Sequence, residues 1–334
     1  MTRRPTVVEV AQRAGVSIAS VSRVINGKLA RPDTVERVRT AAADLGYLPD
    51  ATGRALKLGS SLQIAFAVDD VGNPVYTEMM RGVEEGMSGS GTRLLVASTG
   101  HHPADLLAVV HGLSRGYADG LIISPLQHTP ELLTALRDAP VPVVVIGDVG
   151  ADGSLDRVST DSGAGIALAH RHLIDTGRRR IAFVNGPTDT SPGRARLDGY
   201  RRACAESGGA GPMVEAAGFT VTAGEGAWSE LAGLDERSRP DAVLAANDLL
   251  ALGVMRAALS AGRRVPESLA VVGIDDIQFA RIFSPSLTSV SLGARTRGRL
   301  AAELLLERMA APAAPPRTVH IEPELMVRES SCRT

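Results

Sequence analysis

The feature that most limits how this chain folds is a regular alternation of apolar and amphipathic segments from residue 62 onward. One series runs through residues 62–146 and a second through residues 166–274. In both series the apolar segments have the length of strands and the amphipathic segments have the length of helices. Strands separated by helices at this spacing predict parallel sheets with helices on both faces. The two series therefore predict an α/β body with two doubly wound lobes.

Charge divides the chain at residue 60. The 334 residues contain 36 Lys and Arg against 37 Asp and Glu, a net charge of −1. Residues 1–60 hold ten basic and five acidic residues, a net charge of +5, which leaves 26 basic and 32 acidic residues, or −6, for the rest. A basic N-terminal segment on an acidic body fits either a domain that meets nucleic acid or a charged surface that only contacts water, and the local sequence pattern decides between them.

The basic segment has the pattern of a helix-turn-helix. Thr6 and Glu9 match a capping box for a first helix, and Gly15 suits the left-handed residue that ends it. Ser17 is a good N-cap for a second helix, which the apolar spacing extends to about Ile25. A third helical pattern follows and completes an all-α core. A helix, a glycine-containing turn and a second helix form the DNA-binding supersecondary unit.

The second helix would read DNA with its outward side chains. Arg23 can bind guanine O6 and N7 with two hydrogen bonds, Ile18 and Ala19 can pack on thymine methyl groups, and the serines can bind phosphate. The candidate DNA contacts in and around this unit are Thr6, Ser17, Ile18, Ala19, Ser22, Arg23, Asn26 and Lys28.

Residues 10–27, VAQRAGVSIASVSRVING, resemble the signature of the lactose-repressor (LacI/GalR) family of transcription regulators. The likeness continues through Gly46, Tyr47 and Pro49, through residues 54–56, and through the body to about residue 330. In that family a hinge leucine wedges into the minor groove at the operator centre, and the corresponding residue here is Leu56. Such a wedge unstacks a base step and bends the duplex. Arg54 and Lys57 flank this leucine and complete the candidate DNA contacts.

The resemblance also implies the domain organisation, because in the family the chain crosses between the two lobes three times. We expect a DNA-binding headpiece over residues 1–49 and a hinge helix over 50–60. The first lobe would comprise residues 61–160 with about 291–316. The second lobe would comprise residues 161–290 with about 317–330, and the facing lobes would bind a small effector as in periplasmic binding proteins.

Polar residues follow several predicted strands, where ligands of doubly wound folds bind. The resemblance implies that some of them hold the effector. The candidate effector-binding residues are Asp69, Asp70, Asn73, Tyr76, Asp148, Arg196, Trp228, Asn247 and Asp275. Trp228 is the only tryptophan. It either stacks on a sugar ring in the cleft or packs in the hydrophobic core. The alternative for Asp275 and Asp248 is to cap the following helix.

The predicted effector is a neutral sugar, because carboxylates accept hydrogen bonds from hydroxyls but repel a phosphate. A purine or another non-sugar effector is the alternative. The function predicted is that of a homodimeric repressor of sugar-utilisation genes, which binds a palindromic operator and whose operator affinity an effector changes. Whether the effector induces or co-represses stays open at this point.

Other function classes fit less well. Lysine occurs only at residues 28 and 57, which excludes a Gly-Lys phosphate loop, and no nucleophile elbow is complete, so we expect neither an enzyme nor a cofactor. The histidines lack metal-ligand spacing. A sugar-binding transport protein would share the body but would need a signal peptide and would lack the helix-turn-helix. With no membrane-length apolar run and two distant cysteines, a cytoplasmic protein is expected.

Overall fold

The computed structural model of the chain describes residues 5–25, 29–47, 63–100, 102–150, 153–207 and 211–332. The chain divides into two compact units, the headpiece Met1–Ser61 and the body Leu62–Thr334. The predicted hinge over residues 50–60 lies outside the described residues. So do five candidate DNA contacts, namely Asn26, Lys28, Arg54, Leu56 and Lys57.

The described part of the headpiece contains α1 (Val7–Ala14), α2 (Ile18–Ile25) and α3 (Pro32–Leu45). The capping box is confirmed, since Glu9 N donates to Thr6 Oγ1 at 3.3 Å and Thr6 N donates to Glu9 Oε2 at 2.6 Å. Gly15 ends α1 with a φ of 63°. Ser17 begins α2 by accepting a hydrogen bond from Ser20 N at 3.1 Å. Local capping signals therefore set the helix-turn-helix boundaries.

The three helices pack on one apolar core, whose buried members are Val10, Ala11, Ala14, Val21, Val38 and Ala41. Arg37 of α3 fixes the turn between the first two helices. Its Nε donates to the carbonyl of Ala14 at 2.9 Å and its Nη2 donates to that of Gly15 at 2.7 Å. These carbonyls at the end of α1 have no partner within their own helix, so Arg37 satisfies them from α3.

The body alternates strands and helices as the sequence predicts. The strands are β1 (Gln63–Val68), β2 (Arg93–Ser98), β3 (Gly120–Ser124), β4 (Val143–Ile146), β5 (Asp156–Ser159), β6 (Ile181–Asn185), β7 (Met213–Glu215), β8 (Ala242–Ala245), β9 (Ala270–Ile274), β10 (Thr288–Ser291), β11 (Thr318–His320) and β12 (Glu324–Met326). The helices are α4 (Pro74–Gly86), α5 (Pro103–Gly112), α6 (Pro130–Arg137), α7 (Ser162–Asp175), α8 (Ser191–Ser207), α9 (Val221–Ala232), α10 (Asp248–Ser260), α11 (Gln278–Ile282) and α12 (Ala294–Ala310).

The strands form two six-stranded sheets, one in each lobe. The first has the order β11-β5-β4-β3-β1-β2 and is parallel throughout. The second has the order β12-β10-β9-β8-β6-β7, and in it only the β10–β12 pair is antiparallel. Central strands such as β4 and β9 are buried at every residue, as expected for sheets covered by helices on both faces.

The chain crosses between the lobes three times, after β5, after β10 and after β11. The crossings lie side by side, because Thr160 Oγ1 donates to the Leu292 carbonyl at 3.1 Å and Ile321 N donates to the Ser159 carbonyl at 2.9 Å. The assignment of residues 317–330 to the second lobe is therefore wrong for β11. This strand extends the first sheet by pairing with β5, and only β12 joins the second sheet.

The long helix α12 belongs to the first lobe, as expected, and packs against α4. The two helices approach closely at glycines. A Cβ at Gly82 would lie 1.9 Å from the Arg295 carbonyl oxygen, and one at Gly298 would lie 2.1 Å from that of Met79. Glycine at both positions therefore fixes α12 against α4 in a single register.

Some elements differ from the sequence prediction. Helix α9 begins at Val221, directly after its N-cap Thr220, and Trp228 therefore lies in its second half. The strands β5, β7 and β10 and the short helix α11 were not predicted. Within the described ranges, no helix is both long enough and apolar enough to cross a membrane.

Candidate functional site

The exposed face of α2 carries the predicted DNA contacts that the structure describes. Ile18 is 49% exposed although it is large and apolar, and Ser17, Ala19 and Arg23 are exposed as well. Ser22 is half-buried. Val21, by contrast, is fully buried in the headpiece core. The helix thus presents a cation, small side chains and an aliphatic side chain outward together.

Thr6 differs from these residues because its side chain is used locally. Its hydroxyl lies 3.0 Å from Glu9 Oε2 and takes part in the capping box of α1. A contact between Thr6 and DNA phosphate stays a prediction.

In the body, the carboxyl ends of the strands in both sheets face a cleft of about 1180 Å³. Of the nine candidate effector-binding residues, eight line it: Asp69, Asp70, Asn73, Tyr76, Asp148, Arg196, Asn247 and Asp275. The strand ends thus bring these residues together around one cleft, and their contact with an effector stays a prediction.

The second lobe contributes a buried pair at the bottom of the cleft. Arg196 of α8 lies 3.4 Å from Asp275 Oδ1 through its Nη2, and its Nη1 donates to the Ala246 carbonyl at 2.7 Å. Burial raises the pKa of Asp275, while the charges of Arg196 and Arg297 oppose that rise. Arg196 Nε is buried and has no hydrogen-bond acceptor among the described residues. Both members of the pair line the cleft.

The loop after β9 holds Asp275 in an unusual backbone conformation. Asp275 and Asp276 have φ values of 109° and 51°, a region that side chains other than glycine rarely adopt. Asp248 stabilises the loop, because its carboxylate accepts from Ile277 N at 2.8 Å and from Ser289 Oγ at 2.6 Å. Asp248 is completely buried and does not line the cleft, so it positions Asp275 rather than touching a ligand.

The first lobe contributes Asp69 and Tyr76, which face the pair from the other side of the cleft. The Tyr76 hydroxyl lies close enough to Asp69 for this carboxylate to influence the pKa of the phenol. Burial raises the pKa of Tyr76 well above its ordinary value, and the nearby charge of Asp69 raises it further. Asp275 also raises this pKa, whereas Arg297 lowers it. The phenol therefore stays a hydrogen-bond donor at neutral pH.

Three of the predicted residues are partly used in local structure. Asn73 caps α4 by accepting from Val75 N at 3.2 Å, and Asp70 accepts from Gly72 N at 2.8 Å. Asn247 caps α10 through its side-chain oxygen and donates from Nδ2 to the Phe219 carbonyl at 3.4 Å. These residues shape the cleft walls as well as line them.

Asp148 lies at the rim. Its side chain is 79% exposed, and it accepts from Gly150 N at 2.9 Å while lying 3.7 Å from Arg157. Because it is so exposed and already has partners, Asp148 contributes less to the buried part of the cleft than Asp69 and Asp275 do.

Trp228 does not line the cleft, so the prediction that it stacks on a ligand is wrong. It lies on the inward face of α9, is 4% exposed and packs in the hydrophobic core. Phe219 does line the cleft, as Tyr76 does, and its ring centroid lies 5.8 Å from Arg196 Cζ. A Cβ at Gly186 would come within 2.2 Å of this ring, so the glycine makes room for it.

Sequence reasoning also missed Arg297. This residue of α12 lines the cleft and is 9% exposed. Burial lowers its pKa to about 10, with Asp275 acting to raise it and Arg196 to lower it. The guanidinium remains charged at neutral pH, which gives the buried walls two carboxylates and two guanidinium groups.

Loops of the two lobes meet at one edge of the cleft, and we call their contacts the cross-lobe bridge. Ser191 N donates to the Leu126 carbonyl at 2.7 Å, and Gln127 Nε2 donates to Asp189 Oδ2 at 2.8 Å. Ser191 Oγ also lies 2.8 Å from His128 Nδ1. Residues 126–128 follow β3 of the first lobe, and Asp189 lies just before α8 of the second, which begins at Ser191.

The family models match both units. Residues 6–50 match the model "Bacterial regulatory proteins, lacI family", and residues 170–331 match "Periplasmic binding protein-like domain". The chain is 34% identical over 330 residues to the ribose operon repressor of Escherichia coli strain K12, an alignment that covers 98% of this chain and 99% of the relative. This chain belongs to the lacI family.

Other lacI-family proteins agree with this assignment. The regulator CelR of Thermobifida fusca is 36% identical over 338 residues, with 98% of each chain covered. A solved CelR–cellobiose complex matches with a TM-score of 0.73 at 35% identity, over 98% of this chain and 100% of that one. The Lac repressor dimer bound to operator and an anti-inducer matches with a TM-score of 0.87 at 26% identity, over 99% and 100%. The chain is therefore a DNA-binding transcriptional regulator and not an enzyme.

Proposed function

We propose that this regulator represses sugar-utilisation genes as a homodimer, which binds a palindromic operator and changes its operator affinity when a neutral sugar binds in the cleft. The observation that carries the proposal is the balance of groups in the cleft. Two buried carboxylates, Asp69 and Asp275, are matched by two buried guanidinium groups, Arg196 and Arg297. A set of acceptors and donors without net charge suits a ligand that has many hydroxyls and no charge.

The names of several relatives support a sugar as the effector of this regulator. The repressors most similar in sequence include ribose operon repressors, and the CelR structure contains cellobiose. Two further lacI-family structures contain bound ribose. Phe219 adds an apolar face against which the carbon side of a sugar ring can pack.

The exposed face of α2 supports direct reading of DNA. Arg23 is placed to bind guanine through two hydrogen bonds, and Ile18 and Ala19 offer apolar surface to thymine methyl groups. Ser17 and Ser22 lie beside them as phosphate ligands. Such a helix reads one half-site, so two copies of the chain are needed for a palindrome.

Exposed apolar residues on the body support a homodimer. Leu95 and Val96 are 37% and 38% exposed on β2, which is an edge strand of the first sheet. Phe279 and Ile282 are 49% and 68% exposed on α11 of the second lobe. A second copy that covered these positions would remove apolar surface from water and protect the sheet edge. A protein with this role would work in the cytoplasm.

The test begins with selection of an operator from a library of random DNA duplexes. Operator affinity is then measured by fluorescence anisotropy with and without D-ribose, cellobiose, other neutral sugars, adenine and guanine. We expect an inverted repeat, and one neutral sugar that changes operator affinity by at least about fivefold, with the operator changing the sugar's affinity by the same factor. A response to a purine alone would replace the sugar by the alternative effector, and no response to any neutral sugar would overturn the proposal.

The DNA-reading role of Arg23 has its own test. Arg23→Ala should lower affinity for the selected operator by about 5- to 150-fold and relax the preference for one base, because a bidentate guanine contact contributes about 1–3 kcal/mol. Arg13→Ala is the control, since Arg13 is an exposed arginine that already pairs with Asp44 at 3.2 Å. Equal losses in the two variants would remove Arg23 from the set of base-reading residues.

A further inference from the structure

Arg297 is the least satisfied charged group that lines the cleft. Its side chain is more than nine-tenths buried. Its Nε has no hydrogen-bond acceptor, and within the described parts of the chain no hydrogen bond or ion pair of its guanidinium is found. A buried guanidinium strongly prefers to be paired, because removal of a charge from water is costly.

The surroundings of Arg297 make its position more unfavourable still. It lies in the first turn of α12, where the helix dipole is positive and no acidic residue is present. The neighbouring Arg196 adds a second positive charge. The nearby charge of Asp275 offsets this cost only in part, because no ion pair or hydrogen bond joins the two groups among the described residues.

Arg297 cannot easily move away from the cleft. The register of α12 is fixed by the close glycine contacts with α4 at Gly82 and Gly298, the latter being the next residue along the helix. The backbone amide of Arg297 also donates to the Gly293 carbonyl at 2.8 Å, directly after the second crossing between the lobes. The side chain is thus held on the first lobe and directed at the cleft.

Asp275 and Arg196 lie across the cleft on the second lobe. Asp275 is close enough to Arg297 for each to shift the other's pKa, yet no ion pair joins them. The gap between them is therefore bounded by a donor on one lobe and an acceptor on the other. A hydroxyl oxygen satisfies both at once, because it accepts from a guanidinium and donates to a carboxylate.

We propose that Arg297 is an effector-binding residue that donates from the first lobe to a ligand oxygen which Asp275 and Arg196 contact from the second. This inference rests on the proposed effector role of the cleft and names the residue through which the first lobe recognises the ligand. It assigns to the ligand a hydroxyl that lies between the two lobes. Ligands that lack a hydroxyl at this position should bind weakly.

The first experiment measures stability without any ligand. Arg297→Met keeps an unbranched side chain of similar length but removes the charge. If Arg297 is kept for binding, the melting temperature of the ligand-free protein should rise by about 2 °C or more, because a buried charge that has no hydrogen-bonded partner is removed. A fall in melting temperature would show that Arg297 stabilises the fold and would overturn the proposal.

The second experiment measures binding by calorimetry, with the neutral sugar to which the wild type responds. Arg297→Met should lower the affinity for the sugar by at least about tenfold. Arg297→Lys should recover part of this affinity, because lysine keeps the positive charge but lacks the planar guanidinium that donates two parallel hydrogen bonds. The control is Arg295→Met, on the same helical turn, whose arginine is 56% exposed and pairs with Glu85. Unchanged affinity in Arg297→Met would refute the inference, whereas a wild type that binds no sugar would refute the proposed function and leave the stability test to decide the role of Arg297.

Discussion

At the scale of single residues, the cleft depends on a buried aspartate that does not touch it. Asp248 holds the loop after β9 through Ile277 N and the Ser289 hydroxyl, and so keeps Asp275 at a positive φ. Such a conformation costs of order 1–3 kcal/mol and persists only when its surroundings enforce it. Asp248 is therefore a positioning residue for Asp275.

Asp248→Asn should weaken effector binding. Asparagine has one side-chain acceptor where two donors converge, so one of the two donors would face an amide NH₂ group. We expect the free energy of unfolding to fall by about 1–3 kcal/mol and effector affinity to fall several-fold. Urea denaturation and calorimetry with the responding sugar check this.

The control is Asp241→Asn. Asp241 accepts from Arg180 N at 3.0 Å, and it precedes β8 at the end of the sheet away from the cleft. The Asp241→Asn protein should have a lower free energy of unfolding than the wild type but the same affinity for the effector. If both variants lost affinity alike, Asp248 would have no particular role in positioning Asp275.

The sequence predicts residues well where their position follows from topology. Asp69, Asp275 and Asn247 come directly after strands, and parallel strands bring their ends together, so their place in the cleft was predictable. Arg297 was not, because an arginine within a helical pattern normally faces water, and only packing of α12 against α4 turns it inward. Phe219 was missed because Trp228 was the more conspicuous aromatic residue.

At the scale of elements, α7 and α8 of the second lobe pack around a buried histidine. His170 of α7 is 3% exposed, lies edge-on to the Tyr200 ring with centroids 5.8 Å apart, and its Nε2 is 3.9 Å from Cys204 Sγ. Burial lowers the pKa of His170 below its ordinary value. The neutral imidazole therefore contributes to the packing of this helix pair.

This contribution should depend on pH. A histidine whose pKa is lower in the folded protein stabilises it fully above the unfolded pKa of about 6.5, and the stabilisation is lost as pH falls through the folded pKa. Between pH 7 and 5, His170→Phe should show a shallower loss of unfolding free energy than the wild type, by at most about 1.4 kcal/mol per pH unit. Urea midpoints at several pH values test this, and parallel curves for the two proteins would contradict it.

Element boundaries were predictable where capping residues mark them. The headpiece helices agree with their sequence signals because Thr6, Gly15, Ser17 and Pro32 each act locally. The strands β5 and β7 have four and three residues, too few to show a period of two. Their place in the sheets is set by pairing with β4 and β6, which a single sequence does not reveal.

At the scale of the whole body, the lobes are joined by the three crossings and by the cross-lobe bridge. The bridge consists of three hydrogen bonds between surface loops, each of which contributes about 0.5–1.5 kcal/mol. Because it ties the two walls of the cleft, it favours the arrangement in which both lobes contact one ligand.

Asp189→Ala should therefore shift the body toward a more open arrangement. Removal of the bond from Gln127 should lower effector affinity by about two- to tenfold. X-ray scattering should show a larger radius of gyration. Thr188→Ala is the control, since that hydroxyl bonds to Glu215 within the second lobe at 2.9 Å. An unchanged radius and affinity in Asp189→Ala would show that the bridge does not influence closure.

The position of β11 in the first sheet has a consequence for synthesis on the ribosome. All strands of the second sheet except β12 lie between residues 181 and 291, whereas the first sheet is begun at residue 63 and gains its outer strand only at residues 318–320. Since chains emerge N-terminus first, the second lobe can assemble while the first still waits for α12 and β11. Most of the second sheet can therefore form before the first sheet is complete, and a chain cut short by about twenty residues lacks the outer strands of both sheets, β11 and β12.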